Sequence, residues 1–298
     1  VLDYAILVIS GADGVQEHTR TLWRLLRHLN IPVFLFVNKM DQQGTDKAGL
    51  LAQLRRVLSE NCVDFSDRGT EAFYENAAMC DEAALEEYLE NGAVSDNTIA
   101  ALIGERKLFP CFFGSALKLQ GVAEFLEDFF AYAKEPEYPG EFGAKVYKIT
   151  RDAQGMRLTH MKITGGRLAV KQLLSGVKRS GADGGGEPEI WEEKVNQIRI
   201  YSGGKYETAD AVTAGRICTV TGLNDTYPGE GLGVEQPSEQ PVLEPVLTYR
   251  ILPPEGMDAA LLLSKLRLLE EEDPQLQIVW DEKLRGIFAR MMGEGQIE

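Results

Sequence analysis

The stretch VFLFVNKMD, residues 33–41, constrains the fold most. Five consecutive apolar residues, Val33 to Val37, run directly into Asn38, Lys39 and Asp41. A short apolar run rich in Val and Phe, with no polar alternation, predicts a strand buried on both faces. Upstream, YAILVIS predicts a second short buried strand and GADG a turn. Between the two strands Val15, Leu22, Leu25, Leu26 and Leu29 recur on helical spacing, and Asn30 and Pro32 stop that helix. Strand, helix, strand in this order predicts a parallel sheet covered on both faces. Ligands of such sheets bind at the carboxyl ends of the strands, which is where the amide, the ammonium and the carboxylate stand.

Further along, Lys47 to Ser59 predicts a helix, and residues 61–107 a mixed segment with a helix in DEAALEEYLE. FPCFFGSA predicts a third strand and GVAEFLEDFFAYA an amphipathic helix. The texture changes at KEPEYPGEF, where Pro136, Pro139 and Gly140 predict a domain boundary. From there to about Gln236, short strands alternate with glycine turns: AKVYKIT, LTHMKITGGRLA, EKVNQIRIYS and GRICTVTGL. That pattern predicts an antiparallel β-barrel, with SGADGGGEPE as a flexible loop in it. After PSEQPVLEP come a strand in PVLTYRILP, a helix from Met257 to Leu269, and strands in QLQIVWD and RGIFARMM. Strand, helix, strand, strand is the first part of a split β-α-β sandwich.

Composition narrows the class. The chain is 44% hydrophobic and 26% charged, ordinary for a globular protein of 298 residues, a length that allows two or three cores. No apolar run reaches the roughly 20 residues of a membrane-spanning helix, so no membrane partner is expected. The apolar start lacks a basic leader and a small-residue cleavage site, so no signal peptide is expected. Cys62, Cys80, Cys111 and Cys218 form no CxxC pair and read as the reduced cysteines of a cytoplasmic protein. The net charge of −15 argues against broad electrostatic binding to DNA or RNA, while leaving a local RNA contact open. His18, His28 and His160 lack metal-ligand spacing, and Trp23, Trp191 and Trp280 are expected to pack.

The polar cluster at 38–41 fits one chemistry well. Asp41 is an acceptor with two oxygens, and guanine presents two adjacent donors, its N1–H and its 2-amino group. Adenine would set a lone pair against the same carboxylate, and an unmet buried polar group costs about 1–3 kcal/mol. Asn38 can tie the loop together and reach the base edge, and the Lys39 stem can lie against the ring. A second cluster, Gly114, Ser115 and Ala116, also follows a strand end. A small residue at Ala116 lets a backbone N–H approach guanine O6, and Gly114 frees the turn. A polar cluster after one strand is commonly a solvated loop with a helix cap. Two clusters after two strand ends, in this order, argue for a base site.

These two clusters, NKMD and GSA, resemble the fourth and fifth guanine-recognition motifs of the translational GTPases. Residues 1–41 resemble the stretch that follows the second switch in elongation factor G and its relatives. GEFGAKVYKI resembles the start of their β-barrel second domain, and LEEEDPQLQIVWDEKLRGIFARMMGEGQIE the first part of their third. Elongation factor G carries an inserted subdomain between the two guanine motifs, whereas Asp41 and Gly114 are only 73 positions apart here. The tetracycline-resistance ribosomal protection proteins lack that insert and also resemble NKMDQQGTD and LEEYLENG.

The resemblance implies a multidomain chain. Residues 1–138 would be the C-terminal part of an α/β P-loop-type GTPase domain, 139–240 an antiparallel β-barrel domain, and 241–298 an incomplete α+β ferredoxin-like domain. It implies GTP or GDP as ligand, with guanine held by Asn38, Lys39, Asp41, Ser115 and Ala116. No GxxxxGK[ST] phosphate loop occurs in the sequence. That loop, the switches and the Mg²⁺-binding groups are therefore expected in a longer parent, of which this is an internal fragment without catalytic or metal-binding residues of its own. The parent is expected to be a cytoplasmic GTPase acting on the ribosome, through the small subunit and ribosomal RNA, in ribosomal protection. An elongation factor G-like translocase and a non-hydrolysing regulatory guanine-nucleotide-binding protein are the alternatives.

Overall fold

The structure is a computed structural model, and it describes residues 1–178, 189–238, 245, 247–254, 256–273, 275–282 and 284–291. The chain divides into two compact units at Pro136/Glu137.

The first unit, Leu2–Pro136, is built on a parallel sheet of β1 (Ala5–Ser10), β2 (Val33–Asn38), β3 (Cys62–Asp64) and β4 (Phe109–Phe113), in the order β1-β2-β4-β3. Helices α1 (Glu17–His28), α2 (Lys47–Val57), α3 (Glu71–Ala78), α4 (Glu82–Asn91), α5 (Asp96–Gly104) and α6 (Val122–Tyr132) cover it. Because side chains alternate along a strand, β2 feeds two cores. Phe34 and Phe36 join Val63, Phe112 and the aromatic side chains Phe65, Phe73, Phe125 and Tyr132. Val33, Leu35 and Val37 join Trp23 and Leu54 on the other face. Every residue from Val33 to Val37 is buried, as the uninterrupted apolar run requires.

Two expectations need correction here. YAILVIS is not buried on both faces: β1 is an edge strand, with Ile6 43% and Val8 57% exposed, while Leu7 and Ile9 enter the core. An apolar run cannot report whether a neighbour covers its second face. FPCFF is third across the sheet but fourth along the chain, because the three-residue β3 precedes it. Three residues are too few to show a period, and α3 and α5 are likewise hidden in the mixed segment. Their starts are nonetheless marked by caps, the Thr70 hydroxyl accepting from Phe73 N–H and the Ser95 hydroxyl from Thr98 N–H.

The second unit, from Glu137, is antiparallel where the glycine-punctuated segments predict strands. β5 (Gly143–Arg151), β6 (Arg157–Gly165), β10 (Gln197–Ser202), β11 (Lys205–Ala209), β13 (Ile217–Thr221) and β14 (Gly231–Gly233) form one six-stranded sheet, ordered β11-β10-β13-β6-β5-β14. β7 (Arg167–Ala169) pairs with β12 (Ala211–Thr213), and β8 (Leu173–Val177) with β9 (Ile190–Lys194). Together they enclose one apolar core that includes Val146, Met161, Ile163, Trp191, Ile198 and Val220. Glu230 is buried in this core, accepting a hydrogen bond from Trp191 Nε1 at 3.0 Å and one from Tyr227 N–H at 3.2 Å. The loop expected at SGADGGGEPE lies, except for Glu189, outside the described residues.

Beyond it, β15 (Leu247–Ile251), β16 (Gln277–Asp281) and β17 (Gly286–Met291) form a three-stranded antiparallel sheet, ordered β15-β17-β16. α7 (Ala259–Glu272) packs Leu262, Leu263 and Leu266 against Ile278, Ile287 and Ala289. None of its residues is fully buried, and Leu261, Leu268 and Leu269 are exposed. Trp280 does not pack as expected: it is 38% exposed, whereas Trp23 and Trp191 are buried. It stands at the end of the outer strand β16, and outer strands have one neighbour fewer to cover them.

Candidate guanine-binding site

The parallel register brings three strand ends to one edge of the first unit. Ser10 lies opposite Asn38, and Val37 opposite Phe113. The Asn38 carbonyl accepts from Gly11 N–H at 2.7 Å, so the GADG turn closes on the same edge. β2 ends sharply, because Lys39 adopts a left-handed backbone at φ 65°, which turns the chain out of the sheet. Met40 N–H then donates to the Gly114 carbonyl at 3.0 Å, and Gly114 N–H to the Val37 carbonyl at 2.9 Å.

The second loop is pinned by its own backbone. Ser115 and Gln120 exchange two N–H to carbonyl bonds, each 3.0 Å, and so close a tight loop over residues 115–120. Gly114 is required there, because a Cβ would overlap the Gln120 carbonyl oxygen. Leu117 and Leu119 are exposed, so side-chain packing does not hold this loop.

Side chains then join the two loops. Asn38 Oδ1 accepts from Lys39 N–H and from Ala116 N–H, both at 2.8 Å. Asn38 thus performs the tying role expected of it. The Ala116 N–H, expected near guanine O6, is engaged by this amide in the structure. Ser115 is buried. Its hydroxyl is the main reason the Asp41 carboxyl titrates below its ordinary value, with Asp41's own backbone N–H and Lys118 contributing in the same sense. Lys118 Nζ stands 3.4 Å from Asp41 Oδ2. Lys39 is exposed at the rim. The five expected residues are therefore gathered by two loops. Lys118 is not among them, since nothing at the level of spacing sets it apart from a solvated lysine.

The remaining histidines are elsewhere. His18 and His28 lie in α1, and His160 sits half-buried on β6, between the Thr150 and Thr219 hydroxyls at 2.7 and 2.8 Å. Burial lowers the His160 pKa. Among the described residues no three His, Cys, Asp or Glu side chains gather where they could hold a metal ion. No helix of the described residues is long and apolar enough to cross a membrane.

Residues 1–135 match the family described as the elongation factor Tu GTP binding domain. Similarity to curated proteins extends over the whole chain. The oxytetracycline resistance protein of Streptomyces rimosus is 29% identical, over 100% of this chain and 49% of its own length. Tetracycline resistance protein TetP of Clostridium perfringens is 28% identical over 100% of this chain and 48% of its own. Elongation factor G of Ureaplasma parvum serovar 3 is 24% identical over 99% and 52%. The chain therefore spans about half the length of the curated relatives it matches. A solved structure from Thermus thermophilus shares its fold, with a TM-score of 0.78 at 21% identity, covering 99% of this chain and 51% of that one.

Proposed function

We propose that this chain is the base-recognising part of a longer, cytoplasmic, GTP-hydrolysing translation factor. Guanine is held by Asn38, Lys39, Asp41, Ser115 and Ala116. The observation that carries the reading is the joining of the two loops: Ala116 N–H on Asn38 Oδ1 at 2.8 Å, beside the Asp41 carboxylate, which Lys118 approaches to 3.4 Å. An anchored carboxylate at the carboxyl end of a parallel sheet suits the two adjacent donors of guanine and opposes the N1 lone pair of adenine.

Residues 1–138 belong to the GTPase domain in this reading, 139–240 to a β-barrel domain and 241–298 to a ferredoxin-like domain. The phosphates, and the Mg²⁺ that neutralises them, are held in this reading by residues of the longer protein, since no GxxxxGK[ST] loop occurs in this sequence. Phosphoryl transfer depends on positioning and electrostatic stabilisation at the phosphates. Residues 1–298 alone are therefore expected to bind guanine nucleotides weakly and to hydrolyse none.

The longer protein acts on the ribosome, with the small subunit and its RNA as partners. The resistance proteins that match over the full chain favour ribosomal protection, and the elongation factor G relatives leave translocation as the second reading. Saturation-transfer NMR with GDP and ADP tests the base site, and equal responses would overturn it. In the longer protein, Asp41→Asn should weaken GTP binding by about tenfold or more and favour xanthine nucleotides, because Asn offers a donor to the 2-oxo group. Unchanged GTP affinity would remove Asp41 from the site. Ribosome-stimulated GTP hydrolysis by the longer protein, with and without bound tetracycline, separates protection from translocation.

A further inference from the structure

We propose that Lys118 is a positioning residue for base recognition, holding the Asp41 carboxylate from outside so that both its oxygens are turned toward the base. The proposal rests on the guanine reading and adds a residue to it. An ionised carboxylate has two oxygens and about four lone-pair positions. Lys118 Nζ stands 3.4 Å from Oδ2, an ion pair that restrains the orientation of the group. Guanine's N1–H and 2-amino group must meet both oxygens at once, so recognition depends on that orientation. Without the lysine, the carboxylate can rotate about its terminal torsion, which is broad for Asp, and water can fill the freed position.

Two features make this more than a chance surface pair. The lysine's backbone is fixed, because Lys118 N–H donates to the Ser115 carbonyl at 3.2 Å within the loop closed by Ser115 and Gln120. Its flanking residues Leu117 and Leu119 are exposed, so the loop gives this side chain a fixed origin and little competing contact. An exposed ion pair adds little to folding stability. Its consequence here lies in the orientation of a ligand-reading group.

The test uses the whole chain with Lys118→Met and Lys118→Arg. Inosine diphosphate lacks the 2-amino group, so the ratio of GDP to inosine diphosphate affinity reads the second acceptor position. With Lys118→Met the GDP preference should fall about two- to fivefold, the range an exposed ion pair supplies. The Asp41 carboxyl carbon should titrate at a higher pH, and Lys118→Arg should restore both. A preference present in the wild type and untouched by Lys118→Met overturns the proposal alone, as does an unmoved Asp41 titration or an equal weakening of both nucleotides. A wild type that does not distinguish GDP from inosine diphosphate overturns the base-site reading, and this proposal with it.

Discussion

β2 and α7 are both apolar segments, yet they are buried to opposite degrees. Each residue from Val33 to Val37 is buried, shared between two cores. α7 has leucines at six of its fourteen positions and buries none of them fully. The difference lies in what surrounds them. β2 sits second in a four-stranded sheet with helices on both faces. α7 lies on a three-stranded sheet whose small core has four buried residues among those described. Apolar content thus sets how much surface can be buried, and the number of neighbours sets how much is.

The sharpest way to break this contrast is a matched truncation. Leu35→Ala should destabilise the first unit by about 3–4 kcal/mol, and Leu263→Ala its own module by about 1 kcal/mol, because cavity and transfer terms scale with burial. Region-specific methyl signals followed through a urea titration check this, and equal losses would end the comparison. Next in size, Gly114→Ala should erase most of the guanine preference, about tenfold or more, by prising the loop from Gln120 while the sheet remains folded. A retained GDP-over-ADP response would show that the loop can absorb a Cβ.

The core of the second unit supplies a third kind of burial, a carboxyl among apolar side chains. Burial pushes the Glu230 pKa up to about 7, although the Trp191 and Tyr227 N–H groups pull it down. The folded state therefore holds a proton that the unfolded state releases near the ordinary 4.5. Stability from this group is fully present below pH 4.5 and is lost as pH rises through 7. Trp191 fluorescence should titrate near pH 7, and Glu230→Gln should flatten the pH dependence of the melting temperature between pH 5 and 8, as a change of a few degrees. A wild-type melting temperature that rises across that window would contradict the assignment. Smallest in free energy, amide exchange in β15, α7, β16 and β17 should be faster than in β5, β6 and β13 under identical conditions, since few apolar contacts protect these elements.

Much of this was legible in the sequence, and the exceptions share a cause. VFLFV, FPCFF and the helices GVAEFLEDFFAYA and DEAALEEYLE announce themselves by length and period. The three residues Cys62–Asp64 do not, and they hold the far edge of the sheet. Exposure of Ile6, Val8 and Trp280 depends on the absence of neighbours, and no pattern within a strand records that. The site is similar. Asn38 and Asp41 are visible as polar residues after a strand, whereas Lys118 acquires meaning only when the 115–120 loop closes and returns it to Asp41.

The alternation of β2 has a consequence for how accurately Asn38 is placed. Phe34 and Phe36 are gripped by one core, Leu35 and Val37 by the other. The strand is therefore clamped between two independent jaws, and it cannot slide or roll toward one without losing contacts in the other. Asn38, the next residue, inherits the tolerance of both. A volume change in either core, even on the face away from the loops, is passed along a stiff rod to the amide that joins them. Small repacking substitutions at Phe34 or at Leu35 should thus register at the same place, as movement of the Asn38 side chain against Ala116.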